Sequence, residues 1–424
     1  MKAREYRMLI DGDLIAGSSA FDVINPATAE PFAQCPKADE AILERAITAA
    51  KRAFPAWSAK SIEERARLVD KLADALEARA PEFAGLLTSE QGKPLDQAMF
   101  EIMGSVFTLR AFAQMRIEAK SIRNANGNLV IEQMNKLGPA LVTGNTMVAK
   151  PAPTTPLTTL LFGEICKDIL PPGVVNIICD QNDLGSKLTS HPDIAKVAFT
   201  GSTATGKKVM ASAAGGVKRV TLELGGNDAA IVLDDVDPIA AAGKVYDGAM
   251  ANAGQICVAI KRAYVPEAMY DDVCNELARL AKAAVVDDGA NQGTQVGPIQ
   301  NRMQFEKVKK LLDDARQRGR VLAGGAPLDR PGYFIPPTII RDLDDDAPLV
   351  REEQFGPVLP VLKYSNIDDV IARANDSEYG LGGQSGSTSI SRSTPTSPSA
   401  DRSSRESAGN SEKRACTNTP RRTL

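Results

Sequence analysis

The chain has 424 residues, more than one hydrophobic core usually serves, so two or three domains are expected. With 43% hydrophobic and 24% charged residues and a formal net charge of -3, it has the balance of a globular protein and offers no electrostatic footprint for nucleic acid or an anionic membrane. It carries no apolar leader and no run of about 18 apolar residues. A cytoplasmic protein that acts on a small molecule is therefore expected.

Residues 5 to 35 read as short strands joined by turns, with IDGD and INPAT supplying the Gly, Asp and Pro punctuation. From Asp39 the spacing of Ala41, Ile42, Ala46, Ile47 and Ala50 predicts a helix that ends near Pro55, and Trp57 is a core candidate. Ser61 followed by Glu64 opens a second helix with Leu68, Leu72 and Leu76 on one stripe. A third runs from Pro94 to about Lys120, and 124–133 (NANGNLVIEQ) reads as a hairpin strand. Strands at 146–150, 174–178, 196–200, 219–222 and 229–233 then alternate with helices at 157–169 and 204–214, the pattern of a mainly parallel, doubly wound α/β sheet. Further helices are predicted at about 237–251, 267–284 and 301–317. Residues 384–424 are Ser-rich, with Ile390 and Leu424 as their only large aliphatics; too little apolar surface is available to offset ordering, so disorder is expected there.

The six cysteines (Cys35, Cys166, Cys179, Cys257, Cys274, Cys416) show no CxxC pair and no metal-ligand spacing, so reduced thiols and no metal are expected. His191 is the only histidine and lies in a Ser-His-Pro-Asp turn. Any nucleophile must therefore find a base other than imidazole.

Three segments could carry chemistry. In FTGSTATGKKV (199–209) a strand meets Gly201 and Ser202 just before a helix, whose N-terminal N–H groups would face an anion such as a pyrophosphate; an ordinary glycine turn with a Ser cap is the alternative. Glu223 ends an apolar strand ahead of Gly225 and Gly226, where burial would raise it toward general-base range, or where it is simply a turn glutamate. Cys257, near Lys261 and Arg262, is either a thiolate-prone nucleophile or a buried, inert cysteine.

Taken together these motifs resemble the NAD(P)-dependent aldehyde dehydrogenase superfamily. The resemblance runs from IDG at 10–12 and NPAT at 25–28 through SEQGKP, GNTMVAKPAPTTPL, LPPGVVNI, FTGSTATG, LELGG, GQIC and EEQFGPV to NDSEYGL at 375–381, about nine-tenths of the chain. It implies an α/β fold with a Rossmann-type cofactor domain (1–120 and 136–223), a small oligomerisation hairpin (121–135) and an α/β catalytic domain (224–383), ahead of the disordered tail at 384–424. It implies Cys257 as the nucleophile toward an aldehyde, Glu223 as the base that activates the hydrolytic water, and Lys136 as a cation near the sulfur. It further implies that Lys150, Gly201, Ser202, Gly206, Leu224, Glu353 and Phe355 bind NAD or NADP, with Pro153 and Thr154 standing where many members carry a ribose-binding carboxylate. Homodimers or homotetramers are the family's rule.

Between Gln133 and Lys136 the family inserts a strand, a Pro-Trp-Asn-Phe-Pro turn and a helix start that are absent here. The asparagine of that turn would donate to the oxyanion, and loss of one such donor costs about 100- to 1,000-fold in rate. Loss of an interior strand would also leave backbone groups unpaired and the core open. The contrasting expectations are a catalytically silent remnant that keeps the cofactor fold as a binding or interaction protein, and a Cys-Glu-Lys amidase, which would have no use for the GSTATG turn.

Overall fold

In the computed structural model of the chain, residues 4–115, 134–382 and 384–386 are described. The first elements are two hairpins. Strands β1 (Met8–Ile10) and β2 (Asp13–Ile15) are joined by Asp11 and Gly12, both at positive φ (58° and 84°), the two-residue geometry that matches the twist of an antiparallel pair. Strands β3 (Ser19–Asn25) and β4 (Glu30–Lys37) form the second.

Helix α1 (Glu40–Ser58) is capped by Asp39, which accepts from the Ile42 N–H. It continues three residues past Pro55, correcting the expected end: the ring sits in the last turn, and carrying the helix on brings Trp57 to 1% exposure. Helix α2 (Ile62–Ala78) has the full capping box between Ser61 and Glu64. Helix α3 (Ala80–Gln91), not foreseen as separate, begins after a kink at Arg79 and ends at Gly92, φ 94°. Helix α4 (Leu95–Gln114) follows Pro94. The predicted hairpin at 124–133 lies outside the described residues, and the chain is already helical at Met134.

The strand-helix alternation continues as α5 (Met134–Val142), β5 (Met147–Ala149), α6 (Leu157–Ile169), β6 (Val175–Ile177), α7 (Gly185–Ser190), β7 (Lys196–Thr200), α8 (Thr203–Ala214) and β8 (Arg219–Glu223). These strands do not form one sheet. One sheet has the order β2-β1-β6-β5, while β7 and β8 pair in parallel only with each other. A doubly wound half-sheet has the strand order 3-2-1-4-5. Here β6 and β5 match positions 3 and 2, and β7 and β8 match positions 4 and 5. Among the described residues no strand fills the central position between β5 and β7, where the absent family strand would belong. The result is visible in burial. Every residue of β5 is only half-buried, and Val197 is the only fully buried residue of β7 and β8, although parallel strands normally lie beneath helices on both faces.

From Ala229 onward the sheet is continuous. Its elements are β9 (Ala229–Val232), α9 (Pro238–Met250), β10 (Arg262–Pro266), α10 (Tyr270–Ala283), α11 (Arg302–Arg318), β11 (Arg320–Ala323), β12 (Thr338–Arg341), α12 (Pro348–Arg351), β13 (Val358–Tyr364), α13 (Ile367–Asn375) and β14 (Gln384–Gly386). The order is β11-β12-β13-β10-β9-β14, parallel except at β11. Strand periodicity of two separates its side chains into two cores. Ala263, Val265, Ile339, Leu359 and Val361 enter one with α9 and α10; Tyr264, Ile340, Val358, Leu362 and Tyr364 enter the other with α11. A third core joins α1 to α6 with β1 and β6, and its fully buried members end at Leu184. β14 lies at the start of the stretch expected to be disordered; residues 387–424 lie outside the described residues. No described helix is long and apolar enough to cross a membrane.

Candidate active site

The segment Glu223-Leu224-Gly225-Gly226 leaves the end of β8 and links three other segments. The Gly201 N–H donates to the Glu223 backbone oxygen at 3.0 Å, so the turn after β7 and the end of β8 are fastened side by side. The Gly226 N–H donates to Glu353 Oε1 at 3.1 Å. A Cβ at position 225 would stand 2.2 Å from Glu353 Oε2, and one at 226 would stand 2.8 Å from the carbonyl oxygen of Cys257. The paired glycines thus let a carboxylate and the nucleophile loop approach the main chain closely.

The turn after β7 has the form expected of an anion site. Ser202 caps α8 by accepting from the Thr205 N–H, leaving the helix N-terminus at the strand end, where the macrodipole and free N–H groups favour negative charge. Gly206 packs against Leu224, with a Cβ there only 2.5 Å from Leu224 Cδ2, so helix and LELGG segment are in contact. Lys150, just past β5, is ion-paired with the fully buried Asp180 at 2.7 Å. Lys136 on α5 bonds the Thr200 hydroxyl at the mouth of the same turn. This bond sets its ammonium at the end of β7.

Cys257 is the second residue of the turn Ile256–Ala259, closed by the Ala259 N–H donating to the Ile256 oxygen at 3.1 Å. The chain reaches this turn through Asn252, Ala253 and Gly254, at φ 50°, 53° and 70°. Left-handed conformations at non-glycine residues cost about 1–3 kcal/mol each and persist only where the surroundings over-determine them. Here Gln97 accepts from the Asn252 N–H, Gln255 bonds Asn252 and Pro298 oxygens and accepts from the Gln300 N–H, and a Cβ on Gly254 would stand 2.3 Å from the Gly356 oxygen. Its neighbour Phe355 is likewise at positive φ, 49°. Cys35, Cys166, Cys179 and Cys274 are buried, and burial pushes the Cys166 thiol well up and the Cys274 thiol up to about 12. Cys257 alone among the described cysteines is partly exposed.

Two charged residues lie beside this turn: Lys261, which the sequence already put next to Cys257, and Asp228, which it did not bring into the site. Asp228, just after the glycine pair, is pushed up to about 6 by burial against the opposing pull of Lys261, and its Oδ1 has no hydrogen-bond partner. Lys261 is 1% exposed, and burial pushes its ammonium down to about 8 against Glu353, Asp228 and Cys257. Its position four residues past Cys257 was the available signal; the direction of its side chain was not. His191 bonds Glu44 and accepts from the Asp193 N–H, the surface role its turn suggested.

The site therefore joins an accessible thiol, two carboxylates and a helix N-terminus at the mouth of α/β sheets. Comparison with known proteins places this constellation. The aldehyde dehydrogenase family model matches residues 15–129 and 126–401, two segments that together span most of the chain. A probable aldehyde dehydrogenase from a Pseudomonas species is 38% identical over 396 residues, covering 88% of this chain and 81% of the relative. The NAD+ complex of an aldehyde dehydrogenase from Bacillus cereus superposes with a TM-score of 0.86 at 34% identity, covering 91% of this chain and 85% of that one. An E. coli NADP-dependent enzyme gives 0.85 at 33%, covering 91% and 86%. The chain belongs to the aldehyde dehydrogenase family, an NAD(P)-dependent oxidoreductase class that oxidises aldehydes.

Proposed function

We propose that this chain oxidises a small aldehyde to its carboxylic acid through a covalent intermediate on Cys257. The observation that carries the reading is the convergence on the LELGG segment: the anion turn bonds the Glu223 backbone oxygen, and Gly226 bonds the Glu353 carboxylate and leaves the space into which the Cys257 carbonyl approaches. Cys257, held on an exposed strained turn, would add its thiolate to the carbonyl carbon and form a thiohemiacetal. When bound, the dinucleotide supplies the hydride acceptor that leaves a thioester on the sulfur. Glu223 would take a proton from the water that attacks this thioester, releasing acid and regenerating the thiol. Gly201, Ser202 and Gly206 fit the pyrophosphate, with Leu224 packed behind them. Lys150 fits the adenosine end, where no carboxylate at 153–154 opposes a 2′-phosphate, and Glu353 with Phe355 fits the nicotinamide ribose. Lys136, bonded to Thr200, would act at the turn.

The split of the sheet at the position of the lacking strand and turn supports slowed chemistry, since one oxyanion donor is removed at a cost of about 100- to 1,000-fold. The test is mass spectrometry of the Glu223→Gln variant incubated with aldehyde and NAD+ or NADP+. The reading expects the acyl adduct to accumulate on the peptide containing Cys257 after a burst of reduced cofactor. An adduct on another residue, or none while the cofactor is reduced, would overturn it.

A further inference from the structure

The Cys257 turn is built around a buried cation. Lys261 Nζ donates to the Ile256 oxygen at 2.6 Å and to the Ala259 oxygen at 3.2 Å, the first and last residues of the turn whose second residue is Cys257. The same ammonium lies 5.9 Å from the ring centroid of Phe355, and it faces the carboxylates of Asp228 and Glu353. Among the described residues no acid bonds it directly, although burying an ammonium carries a large penalty that a methionine of similar length would avoid. Two carbonyl bonds give a net return of only a few kcal/mol at most. A buried charge at this place therefore needs a further use, and the group that profits is the neighbouring sulfur.

We propose that Lys261 is a positioning residue that fixes the turn carrying Cys257 and, through its buried positive charge, favours the thiolate of that cysteine. The inference rests on the reading of Cys257 as nucleophile. The charged groups that face Lys261 are Glu353 after α12 and Asp228 from the segment between β8 and β9, and Arg262 on β10 follows it in the chain. The Arg262 guanidinium is already committed to the Asn227 and Ala374 oxygens and the Tyr264 hydroxyl. Asp228 is the counterweight: above its raised pKa of about 6 it is anionic, opposes the thiolate and partly offsets Lys261. Above about pH 8 Lys261 itself loses its proton and its effect.

The experiment is alkylation of the full chain by iodoacetamide across pH, with peptide mapping at Cys257 and no aldehyde present. Wild type is compared with Lys261→Met, Lys261→Arg and Asp228→Asn. Lys261→Met should move the midpoint of alkylation up by about one pH unit, which is about a tenfold loss of thiolate below the midpoint. Lys261→Arg, which keeps the charge, should restore a low midpoint, and Asp228→Asn should move it down. An unchanged midpoint in folded Lys261→Met, or Lys261→Arg behaving as Lys261→Met does, would overturn the proposal. Should Lys261→Met fail to fold by circular dichroism, Asp228→Asn decides alone: a fall supports the proposal, and no change or a rise overturns it. If alkylated protein still oxidises aldehydes, the nucleophile reading falls while the Lys261 shifts remain measurable.

Discussion

The two sheet regions use the same strand-helix alternation and end in different states. In the six-stranded sheet each interior strand has a partner on both sides, and all five residues of β10 are buried. In the region before Ala229, β5 and β7 each have one partner among the described residues and β5 is half-buried throughout. The chain as a whole keeps the outline of the family fold, to a TM-score of 0.86 over 91% of its length. What the split region lacks among the described residues is the hydrogen-bonded continuity that distributes stability across a sheet. The difference teaches that a single central strand is what would join a four-stranded sheet and a pair that otherwise end in separate edges.

The largest expected effect is in native-state hydrogen exchange. Amides of β10 and β13 should exchange at least about 1,000-fold more slowly than those of β5, β7 and β8, because their opening requires breaking a continuous sheet. Equal protection in both regions would break the comparison. Truncation should follow the same division. Ile339→Ala, at 0% exposure in β12, should lower the unfolding free energy by about 2–5 kcal/mol in urea titration, whereas Val148→Ala in β5 should cost under about 1 kcal/mol.

A third effect concerns the helices around β6. Glu90 is fully buried and accepts from the Leu157 and Thr158 N–H groups at the start of α6, and burial pushes its carboxyl up to about 7 despite those bonds. A raised folded-state value means that the folded chain holds the proton more tightly, so this contribution is fully present below the ordinary 4.5 and lost as pH climbs through 7. Stability should fall by roughly 3 kcal/mol over that window in wild type, and Glu90→Gln, which cannot ionise, should lack the fall. The smallest effect is local. Asp39→Ala removes the cap of α1 and should cost about 1 kcal/mol, measurable as a small drop in Tm.

What the sequence disclosed was mostly what neighbouring residues decide. Asp39 and Ser61 announce helix starts because a cap acts over three residues, and Asp11-Gly12 announces a hairpin because a turn acts over two. Helix α3 was missed because the apolar spacing runs through the kink at Arg79; Pro81 in its first turn was the readable mark. The anion turn and the glycine pair were legible as motifs, and the contact between them was expected from resemblance alone. The cluster of Asp228, Lys261 and Glu353 was not legible, since it is assembled by residues up to 125 positions apart whose side-chain directions only packing decides.

The account depends on Cys257 reacting within reach of a dinucleotide held at the turn after β7. Its most direct test is cofactor reduction by the purified full chain over a panel of small aldehydes with NAD+ and NADP+, run beside Cys257→Ser. The account predicts slow reduction in the wild-type protein that disappears in the variant while both remain folded. Reduction that persists without the thiol, or a folded wild-type chain that reduces neither cofactor with any aldehyde, would contradict it.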